Sequence, residues 1–582
     1  MPTDYCIVKL DFRNAFNCLH RDAMLEAIRV LAPGIYKFCH AAYSNTTILA
    51  FNNRVILSQE GTQQGDPLGA LLFCATLQPI LTCQQCELIF GYMDDVSLGG
   101  PENLVAANVK DIEQSCANIG LELNESKCEI ITNSGTSNHP QFSKYIQLTP
   151  INASLLGAPM LPGPMMDRML QERCDDIERA TNRLQLLPSH DAMILLKASL
   201  CAPKIQHILR SSPCAGNPKL EMFDEHLKRS TNAITNSDLT DAQWAQASMP
   251  IKDGGLGIRR ATPLALSAFL ASAAGTHELQ EMILAKSSAR ADQQYLQAQA
   301  EWVALNGPET PPDHEKFKQS RWEKPGRLRE KESLNMLAHE PADKARILAI
   351  TTPHSSDWLN ALPISACGLR LDNEAVRVAV GLRLGVPLCT PHTCHCGSKV
   401  DERGTHGLSC KRSTGRTIRH AHINDIIWRA LVTAKVPATK EPAGLSRSDG
   451  KRPDGVTLIP WSRGKCLTWD VTVADTLAES YRQMTATTAG SAAENAAIKK
   501  CSKYIGLSSQ YAFTPIACET FGPINKDGKT LIGEIGKRLT AVTGDIRETA
   551  FLFQRISMTI QRFNAVAFSG SLPVIPTPEA EW

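Results

Sequence analysis

Short apolar segments alternate with turn residues through the amino-terminal quarter of the chain, and their periodicities separate strands from amphipathic helices. Asn52-Asn53 between two apolar runs predicts a tight hairpin turn, whereas Pro33-Gly34 and Gly120 are expected to end helices. The predicted elements are a strand at 5–10, a helix at 20–31, hairpin strands at 48–51 and 54–57, a helix at 68–81, a hairpin at 88–98, a helix at 103–119 and a strand at 129–132. This order predicts an α+β domain.

The pattern becomes mainly helical between about residues 167 and 300, with a break at Gly254-Gly255-Leu256-Gly257. Residues 305–335 are polar and charged and contain four prolines, so a linker or exposed connector is predicted there. Beyond residue 361 the chain carries cysteines and histidines and then returns to an α/β pattern. A chain of 582 residues is long enough for several such domains.

The amino-acid composition is that of an ordinary globular protein. Hydrophobic residues make up 43% and charged residues 21% of the chain, which is typical of a globular protein. The formal net charge is only +2, so no overall basic field points to nucleic acid, although local grooves can still be basic.

Neither export nor membrane insertion is expected. Lys9 and Asp11 interrupt the apolar start, so no signal peptide is predicted. The apolar run at 67–81 is too short to span a bilayer, and Gln78 and Pro79 interrupt it. The 19 cysteines are therefore expected to be reduced thiols rather than a disulfide framework.

Three carboxylates mark the predicted α+β domain. Asp11 ends the first strand, and Asp94-Asp95 lie at the turn of the second predicted hairpin. Carboxylates gathered in this way can hold two divalent cations for an in-line displacement at phosphorus. Gln64-Gly65-Asp66-Pro67 lies between them, and its glycine permits close approach of backbone to a ligand. Taken singly, an Asp-Asp pair is usually a solvated turn, and Gly-Asp-Pro is a common helix entry.

The order of Asp11, Gln64-Gly65-Asp66-Pro67 and Tyr92-Met93-Asp94-Asp95 resembles the palm of reverse transcriptases. The resemblance covers roughly residues 5–275 and implies a palm at 1–165 and a helical thumb at 166–300. Further matching segments are Gly120-Leu121-Glu122-Leu123-Asn124-Glu125-Ser126-Lys127, Leu155-Leu156-Gly157, Met249-Pro250-Ile251 and Gly254-Gly255-Leu256-Gly257-Ile258, the last two resembling the thumb of non-LTR retrotransposon reverse transcriptases.

The resemblance implies an RNA template, deoxynucleoside triphosphates as substrates, and Mg²⁺ held by Asp11, Asp94 and Asp95. It also implies that Gln64 and Gly65 contact the nucleotide or the template.

Two further residues have an implied role and an ordinary alternative. Phe16 would lie under the sugar of the incoming nucleotide and select deoxynucleotides, or it is a core position. Lys127 would be the general acid for the departing pyrophosphate, or it is a solvated surface lysine.

Asp11 stands near the start of the sequence, whereas reverse transcriptases place a fingers subdomain before this aspartate. The fingers, and the amino-terminal DNA-binding modules of related elements, are therefore expected to be missing from this sequence. Polymerase activity of this chain is correspondingly an open question, and a truncated copy or an incomplete gene model would explain the gap.

Four residues near position 400 predict a zinc site. Cys394, Cys396, His406 and Cys410 offer three thiolates and one imidazole, which suit a tetrahedral structural Zn²⁺. His395 and Cys389 are nearby alternatives, and a cluster of cysteines without metal is the ordinary interpretation.

A second acidic pattern follows this cluster. Arg452-Pro453-Asp454 precedes an apolar strand that carries Asp470, which is typical of PD-(D/E)xK nucleases. Acids on adjacent strands can hold Mg²⁺, and a lysine can orient or activate water. Thr472 occupies the position where that lysine is usual, so Lys500 or Lys503 must reach in from the next helix. Pro-Asp by itself is usually a turn.

A set of five features resembles the restriction-like endonuclease of site-specific non-LTR retrotransposons, over roughly residues 385–525. They are the Cys-Cys-His-Cys set, Arg419-His420, Arg-Pro-Asp, Trp469-Asp470 and the Lys-x-x-Lys-Tyr ending at 500–504. The resemblance implies target DNA as a partner and Asp454, Asp470, a helix lysine and Glu441 as nuclease residues. The predicted domains are a palm at 1–165, a thumb at 166–300, a connector at 301–385, a zinc module at 386–425 and an α/β nuclease domain at 426–582.

The resemblance implies that the nuclease nicks target DNA and that the polymerase extends the freed 3′-hydroxyl on the element's RNA, which places the site of action in the nucleus. Two alternatives stay open. One is a degenerate protein that binds nucleic acid without catalysis, and the other is a nuclease whose palm is only a scaffold.

Overall fold

The computed structural model describes residues 2–63, 65–284, 292–445 and 452–573. The chain forms two compact units, and each unit is built from stretches that are separated in the sequence. Unit 1 comprises Met1–Glu172, Gln206–Asn217 and Leu264–Trp322, and unit 2 comprises Arg173–Ile205, Pro218–Pro263 and Glu323–Trp582. The predicted domain boundaries at 165, 300, 385 and 425 stay predictions.

The strands alternate with helices in the amino-terminal region and return in the carboxy-terminal region. They are β1 (Tyr5–Leu10), β2 (Thr47–Phe51), β3 (Arg54–Ser58), β4 (Leu88–Tyr92), β5 (Asp95–Pro101), β6 (Glu129–Ile131), β7 (Ile146–Leu148), β8 (Ser154–Leu155), β9 (Ala158–Pro159), β10 (His392–Thr393), β11 (Lys399–Val400), β12 (Ala438–Lys440), β13 (Gly455–Ser462), β14 (Lys465–Ala474) and β15 (Tyr511–Glu519).

The α-helices dominate the middle of the chain. They are α1 (Ala15–Cys18), α2 (Arg21–Leu31), α3 (Pro33–Tyr43), α4 (Gly69–Thr82), α5 (Glu102–Ala117), α6 (Pro164–Leu184), α7 (Ser189–Leu195), α8 (Ala202–Ser211), α9 (Pro218–Thr235), α10 (Asp241–Ser248), α11 (Ala265–Gly275), α12 (His277–Ile283), α13 (Gln293–Asn306), α14 (Gln319–Leu337), α15 (Pro341–Ile350), α16 (Asn373–Leu384), α17 (His406–Ser409), α18 (Thr414–Thr433), α19 (Arg482–Thr485), α20 (Ser491–Lys503), α21 (Lys526–Thr543) and α22 (Glu548–Ser569).

Unit 1 is built on a five-stranded sheet in the order β4-β5-β1-β6-β7. Residues alternate along β1, so that Cys6, Val8 and Leu10 are buried. Helices α4 and α5 bury their apolar residues in the same core. This arrangement is the α+β palm that the sequence predicts.

The strand pairing decides where the acidic residues lie. Strand β1 runs antiparallel to β5, with Leu10 opposite Val96. Asp11 follows β1 directly and Asp95 begins β5, so both fall at the same end of the sheet. Met93 in the turn before Asp95 has φ of 58°, a left-handed conformation that closes the hairpin tightly.

One helix lies where the sequence predicts only a helix stop. Helix α2 ends at Leu31 as expected, but α3 begins at Pro33. Proline suits the first position of a helix, because its missing N–H has no helical partner there and its φ is already helical. Pro33 therefore ends one helix and starts the next.

The predicted connector also differs from the structure. Residues 319–337 form α14, with Pro325 inside the helix. Trp302 and Trp322 are almost fully buried in unit 1, their rings meet edge to face 5.1 Å apart, and Trp302 Nε1 donates to the Trp322 carbonyl at 3.1 Å. Two large aromatic side chains anchor this segment, although most of its residues are polar and charged.

Unit 2 contains a four-stranded sheet in the order β12-β13-β14-β15. Strands β12, β13 and β14 are antiparallel neighbours, and β15 runs parallel to β14. Helices α18, α21 and α22 cover an apolar core around Trp469, and α20 packs against β14 and β15.

One helical segment of the described chain, Ser189–Ser211, is long and apolar enough to cross a membrane by length and composition, and 44% of its apolar window is buried within the protein. Core helices pass the same test, so a single segment of this kind is weak evidence of a membrane span.

Candidate functional sites

Asp11 and Asp95 line a cavity of about 310 Å³ at the end of the palm sheet. Backbone contacts hold Asp11 in place, because its N–H donates to Cys128 Sγ at 3.3 Å and its carbonyl accepts from Asn124 N at 2.8 Å. The other residues around the cavity are Lys9, Leu10, Tyr92, Val96, Ser97, Lys127, Glu129, Ser154, Leu155, Leu156 and Gly157.

The carboxylates in this cavity repel one another. Desolvation by its neighbours raises the pKa of Asp95, although the residue is exposed, and the negative charges of Asp94 and Asp11 raise the pKa further, whereas Lys9 lowers it. Lys9 is itself paired with Glu129 at 2.7 Å. A divalent cation would relieve the repulsion, so the donor set fits such an ion. Across the part of the chain that the structure describes, however, the three carboxylates do not form a group whose ligand atoms all lie within 4.8 Å.

The residues predicted to contact the nucleotide lie in different environments. Lys127 is exposed and lines the cavity. Phe16 is half-buried and stacks on Phe73 with ring centroids 4.5 Å apart, so it packs against the palm core. Gly65 has φ of 89° and open space where a Cβ would lie. Glycine is therefore favoured there by the left-handed backbone conformation and not by a lack of room for a side chain. Gln64 lies outside the described residues.

A side-chain network that the sequence pattern did not predict holds the turn around Gly65. The Tyr43 hydroxyl donates to Asp66 and accepts from Gln63 N at 3.2 Å. Burial and the Asp66 hydrogen bond raise the pKa of Tyr43 to about 12. Arg21 donates to the carbonyls of Ser58 and Gly61, at 2.9 and 3.1 Å, on the approach to this turn.

The β8–β9 hairpin is held from helix α8. Leu156 lies at the hairpin turn with φ of 47°, and the His207 ring hydrogen-bonds the Leu156 carbonyl at 2.9 Å. Ser212 Oγ donates to the Pro159 carbonyl at 2.7 Å on the far side of the hairpin. Both contacts lie within unit 1 and fix the edge of the palm cavity.

The four residues of the predicted zinc site come together in unit 2. The ligand atoms of Cys394, Cys396, His406 and Cys410 all lie within 4.8 Å of one another. Cys394 Sγ is 3.8 Å from Cys410 Sγ, and Cys396 Sγ is 3.1 Å from His406 Nε2. Hydrogen bonds with Ser398 lower the pKa of Cys396 to about 6, which favours the thiolate that metals bind. The donor set fits a metal ion.

Among the described residues, the two alternative ligands lie outside the close group of four, and the thiol of one of them, Cys389, is engaged elsewhere. Cys389 Sγ donates to the Asp401 carbonyl at 3.3 Å, and the His395 carbonyl accepts from Arg412 at 2.8 Å.

A second group forms where β13 and β14 pair. Gly455 stands opposite Trp469, so Asp454 and Asp470 are neighbours across the two strands. Asp454 Oδ2 accepts from Val471 N at 2.6 Å and faces His420 Nε2 at 3.0 Å. The ligand atoms of these two acids and His420 all lie within 4.8 Å of one another.

Of the two predicted lysines, Lys500 reaches this group. Its Nζ contacts Asp470, whose side chain is buried. Lys503 Nζ instead contacts the Tyr504 hydroxyl at 2.8 Å. Glu441 is exposed and pairs with Arg452, so it is not part of the group.

Comparisons with known proteins agree with the palm geometry. Residues 1–158 match the family described as reverse transcriptase (RNA-dependent DNA polymerase). This part of the chain is a reverse transcriptase domain.

Two relatives extend the likeness beyond the reverse transcriptase domain. The retrotransposable element SLACS 132 kDa protein of Trypanosoma brucei gambiense is 24% identical over 473 residues, which are 77% of this chain and 35% of that protein. The retrovirus-related Pol polyprotein from the type-1 retrotransposable element R2 of Popillia japonica is 28% identical over 295 residues, 44% of this chain and 46% of that protein.

The chain thus spans less than half the length of these curated relatives. The predicted resemblance to reverse transcriptases of retrotransposable elements is confirmed by these matches and by the match of the reverse transcriptase domain.

The sequence pattern includes His420 only as part of an Arg-His pair and does not predict its place in the acidic group. A signal was present, because His420 and Asn424 are four residues apart on α18 and so share one helix face. Both face Asp454, whose carbonyl accepts from Asn424 Nδ2 at 3.3 Å.

Proposed function

We propose that this chain is an RNA-directed DNA polymerase joined to a metal-dependent DNA endonuclease, and that it copies a retrotransposable element into nuclear DNA at a nick. The reverse transcriptase domain at residues 1–158 carries this proposal. A separate His-Asp-Asp-Lys group in unit 2 adds the second activity.

In the polymerase, Asp11, Asp94 and Asp95 would hold Mg²⁺. Divalent ions supply charge neutralisation at the triphosphate and activation of the primer hydroxyl. Lys127, exposed at the same cavity, would protonate the departing pyrophosphate. The β8–β9 hairpin, held by His207, would position the primer end.

In the nuclease, we assign an α/β fold of the PD-(D/E)xK type, in which Asp454 and Asp470 would hold Mg²⁺. Lys500 approaches Asp470 from α20, where it can orient the attacking water. It would thus take the role of the lysine that is usual at the position of Thr472. The nick would leave a 3′-hydroxyl for extension on the RNA template.

The cluster of Cys394, Cys396, His406 and Cys410 would hold Zn²⁺. Three thiolates and one imidazole within 4.8 Å support zinc in a closed, structural site. It would order the segment that precedes α18, the helix that carries His420.

The polymerase assignment is tested by primer extension on an RNA template with Mg²⁺ or Mn²⁺. Asp94→Ala and Asp95→Ala should each abolish extension, because each removes a carboxylate of the predicted metal site. Asp22→Ala, on the exposed face of α2, is the control and should leave the rate unchanged. Extension by Asp95→Ala at the parental rate would refute the assignment.

A second candidate function is a nuclease with a scaffold palm. The spacing of the three palm carboxylates, which do not form one tight group among the described residues, favours it. Nicking without any primer extension in the parent protein would select this alternative.

A further inference from the structure

His420 faces the group of Asp454, Asp470 and Lys500 in unit 2, and it belongs to a different secondary-structure element from these three residues. Asp454 precedes β13, Asp470 lies within β14 and Lys500 extends from α20, whereas His420 belongs to α18. The ring is half-buried, and its Nε2 is 3.0 Å from Asp454 Oδ2. Four elements of unit 2 therefore converge on one point.

The other contacts of these residues fix the positions of the atoms that could bind a metal ion. Asp454 Oδ2 already accepts from Val471 N at 2.6 Å, which fixes the carboxylate against β14. Asp470 is buried and paired with Lys500 through Oδ1. His420 contributes a nitrogen ligand atom within 4.8 Å of an oxygen from each acid.

We propose that His420 Nε2 is a direct ligand of the divalent cation that Asp454 and Asp470 hold, which makes the centre a mixed nitrogen and oxygen site. This inference rests on the proposed nuclease function. Without the cation, Nε2 and Asp454 share a hydrogen bond. To hold the cation, Nε2 would have to be unprotonated, with the proton of a neutral ring on Nδ1 and any second ring proton released to solvent.

A nitrogen ligand has a consequence for metal choice. Imidazole binds first-row transition ions better than it binds Mg²⁺ or Ca²⁺, which prefer oxygen ligands, and Mn²⁺ is the weakest binder of that transition series. The centre should therefore bind Mn²⁺ more tightly than Mg²⁺, and the loss of His420 should weaken Mn²⁺ binding much more than Mg²⁺ binding.

The test measures Mn²⁺ bound to the full chain by pulsed electron paramagnetic resonance, which detects a nitrogen nucleus bonded to the metal. Asp11→Asn and Asp95→Asn in every sample remove two of the three palm carboxylates as competing sites. A single equivalent of Zn²⁺ per chain, with no excess, fills the cysteine cluster, because its three thiolates should bind Zn²⁺ more tightly than the His-Asp-Asp group does. The parent should show one nitrogen coupling. His420→Gln should lose this coupling and raise the Mn²⁺ dissociation constant at least about tenfold. Loss of residues that only support the ligands of a metal already weakens binding by about tenfold or more, so loss of a ligand should cost at least as much.

His422→Gln is the matched control. His422 lies two residues along the same helix, is exposed, and packs on Phe563 with ring centroids 4.7 Å apart. It should keep the nitrogen coupling and the parental dissociation constant. His420→Asn, which supplies an oxygen at a shorter reach, should also lose the coupling and serves as the second variant if His420→Gln does not fold.

The outcomes separate the inference from the proposed function. A nitrogen coupling that persists in a folded His420 variant overturns the inference, because the nitrogen then comes from another residue. If Asp454→Asn abolishes nicking and Mn²⁺ binding while His420→Gln changes neither, only the ligand role of His420 fails. If Asp454→Asn changes neither nicking nor Mn²⁺ binding, the proposed nuclease centre fails as well.

Discussion

At the scale of single residues, two lysines three positions apart on α20 have different surroundings. Lys500 contacts the buried carboxylate of Asp470, and Lys503 contacts the hydroxyl of Tyr504 and lies over its ring, 4.5 Å from the centroid. Of these two lysines, Lys500 is the one seen in contact with a predicted metal ligand among the described residues, so we assign to it the role of orienting water at that centre.

We therefore expect Lys500→Ala to reduce DNA nicking by about a hundredfold or more, the usual loss when a group that assists proton transfer is removed. Lys503→Ala, on the same helix, should stay within about threefold of the parent. Initial rates of relaxation of supercoiled plasmid measure both variants. Equal losses would mean that the two lysines act through the fold rather than through the centre.

Arg383 shows what a single buried charge does for stability. Its guanidinium group donates to the carbonyls of Ile251 and Gly255, at 2.9 and 3.1 Å, and to Ser356 Oγ at 2.7 Å. Burial lowers the pKa of Arg383 to about 9. These bonds fix the loop at 251–255. A Cβ on Gly255 would come within 2.0 Å of the Met249 carbonyl oxygen, so the loop has no room for a side chain there.

Arg383→Lys should lower the free energy of unfolding of unit 2 by about 3 kcal/mol, because lysine cannot reach all three acceptors and leaves buried carbonyls without donors. Chemical denaturation followed by tryptophan fluorescence measures the change. Arg429→Lys, at an exposed pair with Asp425, is the control and should change stability by less than about 0.5 kcal/mol. A smaller effect at Arg383 than at Arg429 would contradict this account.

At the scale of elements, the segment around Cys394 is too short to be stable through backbone hydrogen bonds alone. Strands β10 and β11 have two residues each, and α17 has four. Isolated elements of this length are marginal in water, so a metal held by the four ligands would supply the missing stability.

Metal analysis of the full chain should find about one zinc, as a single four-ligand site requires. Cys410→Ser should lose it, whereas Cys466→Ser, outside the cluster, should keep it. A chelator should speed amide hydrogen exchange across residues 392–410 in the parent. Unchanged exchange after complete zinc removal would show that metal does not stabilise this segment.

At the scale of the whole molecule, the two sets of carboxylates belong to different units. Asp11, Asp94 and Asp95 lie in unit 1, and Asp454 and Asp470 lie in unit 2. Unit 2 also includes Arg173–Ile205 and Pro218–Pro263, and Arg383 bonds the loop at 251–255. A fragment that begins at residue 340 would lack these parts of its own unit, so the full chain is the appropriate protein to assay.

Asp454→Ala should abolish nicking and leave extension of a preformed primer intact, and Asp11→Ala should do the reverse, because each change removes a ligand from one unit only. Both assays on both variants, with equal protein and metal concentrations, measure the separation. Loss of both activities in Asp454→Ala, with parental thermal stability, would contradict two independent centres.

Sequence alone determined the features that depend on near neighbours. The alternation of β1, the tight Tyr92–Asp95 turn and the α+β order of elements follow from local periodicity and turn chemistry, and the spacing of four cysteine and histidine residues predicted the cluster that they form. These patterns are readable because backbone conformation couples residues only a few positions apart.

Contacts between side chains that are distant in the sequence depend on the folded structure. It placed Lys500 rather than Lys503 on Asp470 and brought His420 to Asp454, and it buried Trp302 and Trp322 in a segment predicted as a connector. The physical reason is that strand register and helix packing set these contacts, and both depend on how the whole core fills its volume rather than on any local pattern.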